Sequence, residues 1–372
     1  MKTIIGFSLF FFVFACSTEN TESVFVDVDP LRKVMDSLIF TDREIIFLDS
    51  DNPESLLAGV DAIDIYNDVI YIFDKRSANI FTFSKDGSYL SKIGRKGRGP
   101  GEYIRMNTFC IDRDKGEIII STDTPNKIMF FSLSGEFITE TNTDDSLYEI
   151  VKKGNYLYSS LIINGKYDFA IYEMKGHSVK SVKYIEMANR RINREYMMVP
   201  PGKMLLMSKS DILFTRTFDN TIYKIKDNEL IPLMVLDFGK YNLRNVNTLD
   251  NDAVTSEVFR KRKIYGITNA KSLDGKIIFC GQPNGVFVAE NENIVHQYGT
   301  IIDTHFLIEH NENHMTPILD SENNIIAFTH QATKFEHLLA MNNNSYTEEI
   351  AKMISNVKST DNPIVFLYKL KK

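Results

Sequence analysis

A recurring pair of tight turns constrains the fold of this chain more than any other feature. Five such pairs are recognisable, and the two turns of each pair lie 17 to 22 residues apart. The pairs begin at Asn67, Gly116, Gly154, Ser210 and Gly275. Asn, Asp and Gly readily adopt the positive φ angles of tight hairpins. Between the turns, Ile, Val, Tyr and Phe alternate with polar residues, which predicts strands.

Each pair of turns belongs to a unit of four short strands. Five full units fall near residues 60–94, 105–142, 147–187, 204–238 and 268–299. Four-stranded units at intervals of about 40 to 60 residues are typical of β-propeller blades. A sixth unit, built from residues 315–329 and Pro363–Leu370, lacks its fourth strand at the C-terminus. Glu44–Leu48 can supply it, so we predict an all-β, six-bladed β-propeller of four-stranded blades, its last blade closed by an N-terminal strand.

Three segments interrupt the repeat and predict short insertions, two of them helical. Glu186–Val199 is a charged insertion. Tyr241–Tyr265 places Val254, Val258 and Phe259 among charged residues, which predicts an amphipathic helix. Phe335–Asn356 predicts further helix, with Ser345 as the start of a second helical segment. Such insertions usually share one face of a repeat fold, and they either cap the channel or merely extend the loops.

The N-terminus predicts export. Lys2 precedes an apolar run, Ile4–Phe14, which is shorter than the roughly 20 residues of a membrane-spanning helix. Val13-Phe14-Ala15-Cys16 resembles a bacterial lipobox, in which a peptidase cuts before the Cys and its sulfur carries a diacylglyceryl group. An ordinary signal peptide is the alternative interpretation. The predicted division is a signal peptide over 1–15, a lipidated Cys16 with a flexible tether over 16–40, and the propeller over 41–372.

The composition indicates what fills the hydrophobic core and which classes of binding partner are disfavoured. Only Cys110 and Cys280 follow Cys16, too few for a disulfide-stapled secreted scaffold. Buried free thiols are favoured over a single bridge between them. Trp is absent, so 26 Phe, 17 Tyr and the aliphatic residues must fill the core. The net charge of −6 argues against nucleic acid as a partner and limits membrane contact to the lipid anchor.

The stretch Ile93–Tyr103, IGRKGRGPGEY, resembles the linker between the first two blades of the six-bladed β-propeller lipoproteins of Bacteroidetes. These are distant relatives of NHL-repeat propellers. Two further stretches agree, namely Asp219–Tyr223 with Leu236–Gly239, and Asp361–Val365. The resemblance covers roughly residues 44 to 370 and implies an outer-membrane or periplasmic location. It implies no established activity and no shared catalytic residues.

The glycine-rich stretch is also a candidate ligand site. Its backbone amides, with Arg95, Lys96 and Arg98, could bind a phosphate, sulfate or uronate. It lacks the GK[ST] ending of a nucleotide P-loop. The favoured interpretation is an inter-blade crossover, in which Gly and Pro set a fixed turn.

Histidines concentrate in the last two units, and four are weak metal candidates: His305, His310, His314 and His330. A channel metal needs ligands spread around the ring, whereas these lie in one sector. Asp49–Asn52 and Asp112–Gly116 resemble fragments of calcium loops but lack the Glu of an EF-hand at position twelve. We therefore predict no cofactor, while zinc at the histidines and calcium at the aspartates stay open.

Three functions remain. The leading hypothesis is a monomeric cell-envelope propeller that binds or scaffolds a glycan, a peptide or a partner protein. The alternative is a channel-centred, metal-dependent lyase or hydrolase, and a third is a purely structural subunit of an outer-membrane assembly. Neither GxSxG nor HExxH occurs in the sequence, so no catalytic residue is assigned and the binding role is preferred over an enzyme.

Overall fold

Strand pairing arranges the chain into six sheets, each the blade of a propeller. The computed structural model describes residues 22–161, 166–186, 199–209, 211–243, 249–319, 324–341 and 348–371. Each blade carries four antiparallel strands, and these follow one another from the central channel to the outer rim. The fold is therefore the predicted all-β, six-bladed β-propeller of four-stranded blades.

The first three blades use consecutive strands. Blade 1 consists of β4 (Ala62–Tyr66), β5 (Val69–Asp74), β6 (Asn79–Ser84) and β7 (Tyr89–Ile93). Blade 2 consists of β8 (Met106–Asp112), β9 (Glu117–Asp123), β10 (Asn126–Ser132) and β11 (Phe137–Asn142). Blade 3 consists of β12 (Leu147–Lys153), β13 (Tyr156–Leu161), β14 (Tyr167–Lys175) and β15 (Ser178–Glu186). The turns between them fall where the repeat predicts, for example at Asn67, Gly87 and Gly116, all with positive φ.

The last three blades also receive the N-terminal strands β1 (Ser23–Phe25), β2 (Lys33–Met35) and β3 (Phe40–Phe47). Blade 4 consists of β16 (Leu205–Ser208), β17 (Asp211–Phe214), β18 (Thr221–Lys226) and β19 (Glu229–Asp237). Blade 5 consists of β20 (Gly266–Leu273), β21 (Lys276–Gln282), β22 (Val286–Asn291) and β23 (Ile294–Ile302), with the short β24 (Glu309–His310) beside it. Blade 6 consists of β25 (Met315–Thr316), β26 (Ile325–His330) and β27 (Ile364–Leu370).

The ring closes by the predicted route. Strand β3 pairs antiparallel with β27, with Phe47 opposite Ile364 and Arg43 opposite Tyr368. It thus becomes the fourth strand of blade 6 and covers an edge that would otherwise be open to another chain. The predicted strand Glu44–Leu48 overlaps β3, which begins four residues earlier.

The segment before β3 differs from the prediction of a flexible tether over 16–40. Strand β1 pairs parallel with β19, and β2 pairs parallel with β23. We call residues 22–40 the N-terminal strap, because they lie along the outer edges of blades 4 and 5 before β3 closes blade 6. Val24 and Val26 are buried there, so burial of alternate apolar side chains orders the strap. Cys16 and the predicted signal peptide lie outside the described residues.

Layers of apolar side chains between neighbouring blades form the core. Phe73 of blade 1 meets Phe109 of blade 2 edge to face, with ring centroids 6.3 Å apart. Cys110 and Cys280 are free thiols and both are buried, in agreement with the favoured interpretation. Burial raises the pKa of both thiols, so they behave as small apolar groups of the core.

Within the described residues, the insertions contain three α-helices: α1 (Asn251–Thr255), continued by a π-helical turn over Ser256–Arg260, α2 (Ala332–Met341) and α3 (Glu348–Ile354). The amphipathic prediction holds in part: Val254 and Val258 are buried whereas charged neighbours are not, but Phe259 is 62% exposed and does not join the apolar face. Ser345 and most of the Glu186–Val199 insertion lie outside the described residues. Within the described part of the chain, no helix is long and apolar enough to cross a bilayer.

Candidate functional site

The two faces of the propeller are unequal. In a four-stranded antiparallel blade, the turns after the first and third strands lie at one end, which we call the hairpin face. The turn after the second strand and the connection to the next blade lie at the other end, the loop face. The long connections over 94–105, 238–265 and 331–363 all belong to the loop face. The insertions containing α1, α2 and α3 therefore share one face, as the repeat predicts.

Three of the four candidate histidines meet between blades 5 and 6. His330 Nε2 lies 2.8 Å from His310 Nδ1, and the rings of His314 and His330 are tilted by 32° with centroids 4.3 Å apart. Burial lowers the pKa of His310 to about 3 and that of His314 to about 4, and it lowers the pKa of His330 further. All three are neutral at physiological pH.

A hydrogen-bond relay fixes the tautomers of this cluster. Tyr368 donates to Asp303 Oδ2 at 2.6 Å, so His310 Nε2, 3.0 Å from the same hydroxyl, must donate to it. His310 Nδ1 then accepts from His330 Nε2. The remaining lone pair of His330, on Nδ1, lies 3.5 Å from the Lys334 ammonium. A metal ion bound here would have to replace these hydrogen bonds.

Asp303 anchors the relay as an ionised carboxylate. Although burial raises its pKa, hydrogen bonds from Tyr368 and the Phe306 amide, together with Arg43, hold the pKa of Asp303 below its usual value. The Arg43 guanidinium pairs with it at 2.8 Å. This ion pair links Arg43, on the closing strand β3, to the loop that follows blade 5.

His305 lies apart from the other three candidates. It is exposed and joins Asp36 and Asp303 in the one group of three metal-ligating side chains, among the described residues, whose ligand atoms lie within 4.8 Å of one another. Asp36 Oδ1 accepts from the backbone amides of Ser37 and Thr304. Both carboxylates are thus engaged by protein donors, and the bond between Asp36 and the Thr304 amide joins the strap to the loop after blade 5.

The glycine-rich loop forms the predicted crossover between blades 1 and 2. Tyr103 is fully buried and donates to the carbonyl oxygen of Ala78 at 2.8 Å. The Gly99 amide donates to Glu102 Oε2 at 2.9 Å, so the loop's own carboxylate takes the place that a bound anion would occupy. The three basic candidates Arg95, Lys96 and Arg98 are exposed. Arg98 alone of them borders a neighbouring cavity of about 580 Å³.

The aspartates of the two calcium-loop fragments stabilise turns. Asp112 Oδ1 accepts from the amide of Asp114 and from the Lys152 ammonium, the latter at 2.6 Å. Asp49 Oδ1 accepts from the Asp51 amide. These are the local bonds that Asp usually forms in tight turns.

The sequence did not single out a further cluster, which we call the channel mouth: Lys75, Tyr148 and Lys203. The Lys203 ammonium of blade 4 lies 3.4 Å from Thr108 Oγ1 of blade 2. The Lys75 ammonium of blade 1 lies 3.4 Å from Tyr148 Oη of blade 3. Contacts between blades that are not neighbours must cross the central channel. Because these residues precede or begin the inner strands of their blades, or follow β5, the cluster lies at the loop face.

Burial shifts the pKa values of the two charged side chains beside the mouth, Lys203 and Glu149. Lys203 is 8% exposed; burial lowers its pKa, and the charge of Lys75 adds to this, while Glu149 opposes it. Burial also raises the pKa of Glu149, whose oxygens accept from the amides of Met204 and Leu205. Glu149 therefore fixes the backbone at the start of β16 and so positions Lys203.

A family model matches residues 26–369, and that family is described as a domain of unknown function, DUF4934. The chain belongs to the DUF4934 family. The match includes most of the strap as well as all six blades, so the family domain begins before the predicted boundary at residue 41. No curated protein matches this family member in sequence.

Two crystal structures show the same architecture as this DUF4934 chain. A Bacteroides fragilis NCTC 9343 protein described as exported is 16% identical, with 94% of this chain and 99% of that chain covered and a TM-score of 0.72. A DUF4221 family member from Bacteroides vulgatus ATCC 8482 is 8% identical, with 90% and 98% covered and a TM-score of 0.53. At such identities the likeness shows the fold alone.

Proposed function

We propose that this chain is an exported, lipid-anchored propeller that binds a cell-envelope ligand at its loop face, over the channel mouth. The observation that carries the proposal is the meeting of Lys75, Tyr148 and Lys203 across the channel. Burying a lysine is unfavourable, and a propeller core does not require one. Polar groups gathered at the channel mouth, on the same face as the described helical insertions, are typical of a binding site.

The proposed location in the cell envelope rests on the N-terminal sequence. Lipidation of Cys16 would attach the chain to a membrane, and the export described for the Bacteroides fragilis protein agrees with a signal peptide in this one. Ser23, the first residue of β1, lies seven positions after Cys16, a reach of at most about 25 Å for an extended chain. The rim of blade 4, where β1 pairs, would thus be held close to the membrane surface.

Site-specific photo-crosslinking in Bacteroides cells tests the binding face. A benzophenone side chain would replace Arg76, exposed at the loop face, or Lys85, exposed at the hairpin face of the same blade. We expect a discrete adduct only from position 76, and loss of that adduct when Lys203→Met is added. Equal adducts from both positions, or none from either, would contradict the proposed face.

Fractionation tests the anchor. The full-length chain should partition with membranes and carry the mass of a diacylglyceryl group, whereas Cys16→Ser should release it into the soluble fraction. Cys110→Ser is the matched control, because that thiol is buried and cannot be lipidated. Membrane association that persists in Cys16→Ser would contradict the proposed anchor without touching the proposed binding face.

One observation favours the alternative, a lyase or hydrolase. Asp303 orients Tyr368, His310 and His330 in series, and carboxylate-led relays are a way to fix the basic nitrogen of a catalytic histidine. His330 is 3% exposed, however, and a substrate would reach it only after α2 moved. Turnover of an envelope substrate that His330→Gln abolishes would favour this alternative over a binding role.

A further inference from the structure

We infer that the channel mouth is an oxyanion site, in which Lys75 and Lys203 bind the carboxylate, sulfate or phosphate group of the ligand beside Tyr148. The inference rests on the proposed function, to which it adds the chemical class of the ligand. The shared chemistry is a small, negatively charged group with several acceptor oxygens, such as the end of an acidic glycan or of a phosphorylated molecule.

Two ammonium groups share one aromatic ring at this site. Lys75 Nζ lies 4.7 Å from the centroid of Tyr148, and Lys203 Nζ lies 5.9 Å from it. Each ammonium has three N–H donors, yet each makes only one long hydrogen bond, of 3.4 Å, to a hydroxyl among the described residues. Most of their donor capacity is therefore not used by the described residues.

Neither ammonium has an ionic partner within 4.0 Å among the residues that the structure describes. Three other cations with little exposure form ion pairs: Lys127 with Glu140, Lys152 with Asp112, and Arg43 with Asp303. The charges of Glu149 and Asp61 favour the charged form of Lys203, but their oxygens accept from the Met204 and Lys75 amides and form no ion pair with either ammonium. Because burial of an unpaired charge is costly, the missing partner is best supplied by a bound anion.

A small cavity beside the inner strands of blades 4, 5 and 6 is too small to hold a ligand. Between inner strands β16, β20 and β25, the cavity bordered by Leu206, Asn269 and Lys271 is only about 10 Å³, room for about one water molecule. The Lys271 ammonium there donates to the carbonyl oxygen of Ile318 at 2.9 Å. The inference therefore places the anionic group at the mouth rather than in this cavity.

NMR of lysine ε-carbons tests this assignment directly. The full-length Cys16→Ser chain, labelled at lysine ε-carbons, would be titrated with glucuronate, sulfate and inorganic phosphate. We expect saturable shifts of the Lys75 and Lys203 signals and a rise in the pKa of Lys203 on binding, while Lys85 at the hairpin face stays unchanged. Preference among the three anions separates a carboxylate ligand from a sulfated or phosphorylated one.

Variants distinguish a specific site from general attraction. Lys203→Met should weaken binding of the preferred anion at least about tenfold, because hydrogen bonds to charged groups contribute on this scale. Lys75→Gln, at an exposed position, should weaken it without disturbing the fold, and Lys85→Gln should not weaken it. Shifts that never saturate, or that persist in both mouth variants, would overturn the inference.

Failure of this inference can be told apart from failure of the proposed function. A loop-face adduct from position 76 that survives Lys203→Met, with no saturable anion binding, leaves a binding propeller whose ligand is not recognised as an anion. If neither the loop-face adduct nor saturable anion binding is observed without the Lys203→Met substitution, both proposals are wrong.

Discussion

His330 Nε2 lies 2.8 Å from His310 Nδ1 in a site that water hardly reaches. The groups that face this pair are Lys334 on α2, Glu309 on β24, His314, and Asp303 with Arg43 and Tyr368. Desolvation outweighs the favourable charge of Asp303 and keeps both imidazoles neutral. As the pH falls, these histidines are therefore protonated in the unfolded chain at a higher pH than in the folded chain.

The first prediction concerns acid stability. Because the folded pKa values of His310 and His314 are lowered to about 3 and about 4, the unfolded chain binds more protons below about pH 6.5. Each histidine should lower the free energy of unfolding by about 1.4 kcal/mol per pH unit as the pH falls below 6.5, with no effect above it. His330→Gln should reduce this slope in urea titrations at pH 5 to 7. His296→Gln, half exposed, should leave the slope unchanged, and an equal effect of both variants would contradict the prediction.

The second prediction concerns ring closure. Arg43→Met removes the guanidinium from Asp303, whose side chain is 0% exposed, and should lower the free energy of unfolding by about 3–5 kcal/mol. Lys369→Met is the matched control on the same strand pair, because its contact with Asp42 is exposed on both sides and should contribute about 0–1 kcal/mol. Denaturant unfolding at neutral pH measures both. Similar losses would show that the Asp303 pair has no special role.

The blades were predictable because they follow from local chemistry. Turn residues such as Gly87 and Gly116 mark each hairpin, and alternation marks the strands between them. The closing strand was predictable from an edge left open on Pro363–Leu370. The strap was missed because three-residue strands give almost no periodic signal, although the alternation of Val24, Val26 and Val28 was present in the sequence.

The channel mouth could not be read from the sequence. Lys203 and Thr108 are 95 positions apart, and Lys75 and Tyr148 are 73 apart, so only the ring brings them together. A lysine next to the end of a strand normally indicates a solvated edge. The histidines were placed in the right sector, but spacing alone could not show that His310 and His330 would bond to each other and leave His305 outside.

The third prediction separates the structural role of the glycine-rich loop from a binding role. Gly94 has φ +118°, and a Cβ there would lie 2.0 Å from the Tyr103 hydroxyl oxygen. Gly94→Ala should therefore destabilise the fold by about 1–3 kcal/mol from backbone strain alone, with the clash in addition. In the double variant with Tyr103→Phe, the losses should be less than additive, because the clashing oxygen is gone. Arg98→Ala should change stability by no more than about 0.5 kcal/mol. Full additivity would contradict this account.

The last prediction tests whether the strap is part of the fold. Two neighbours in β1 and just after it face opposite ways: Val26 is 1% exposed and Phe25 is 66% exposed. Val26 packs with Leu236 and Phe238 of blade 4 in the same apolar cluster. Val26→Ala removes two buried methyl groups and should lower the free energy of unfolding by about 1.5 kcal/mol, whereas Phe25→Ala should change it little.

Thermal and urea unfolding of the Cys16→Ser chain would compare the two variants. A flexible tether, as the composition of residues 16–40 indicated, predicts no loss from either substitution. Equal, small effects of the two substitutions would therefore support the flexible tether. A loss confined to Val26→Ala requires the chain to be ordered about ten residues after Cys16, and the proposed anchor would then hold blade 4 through a short linker rather than a long one.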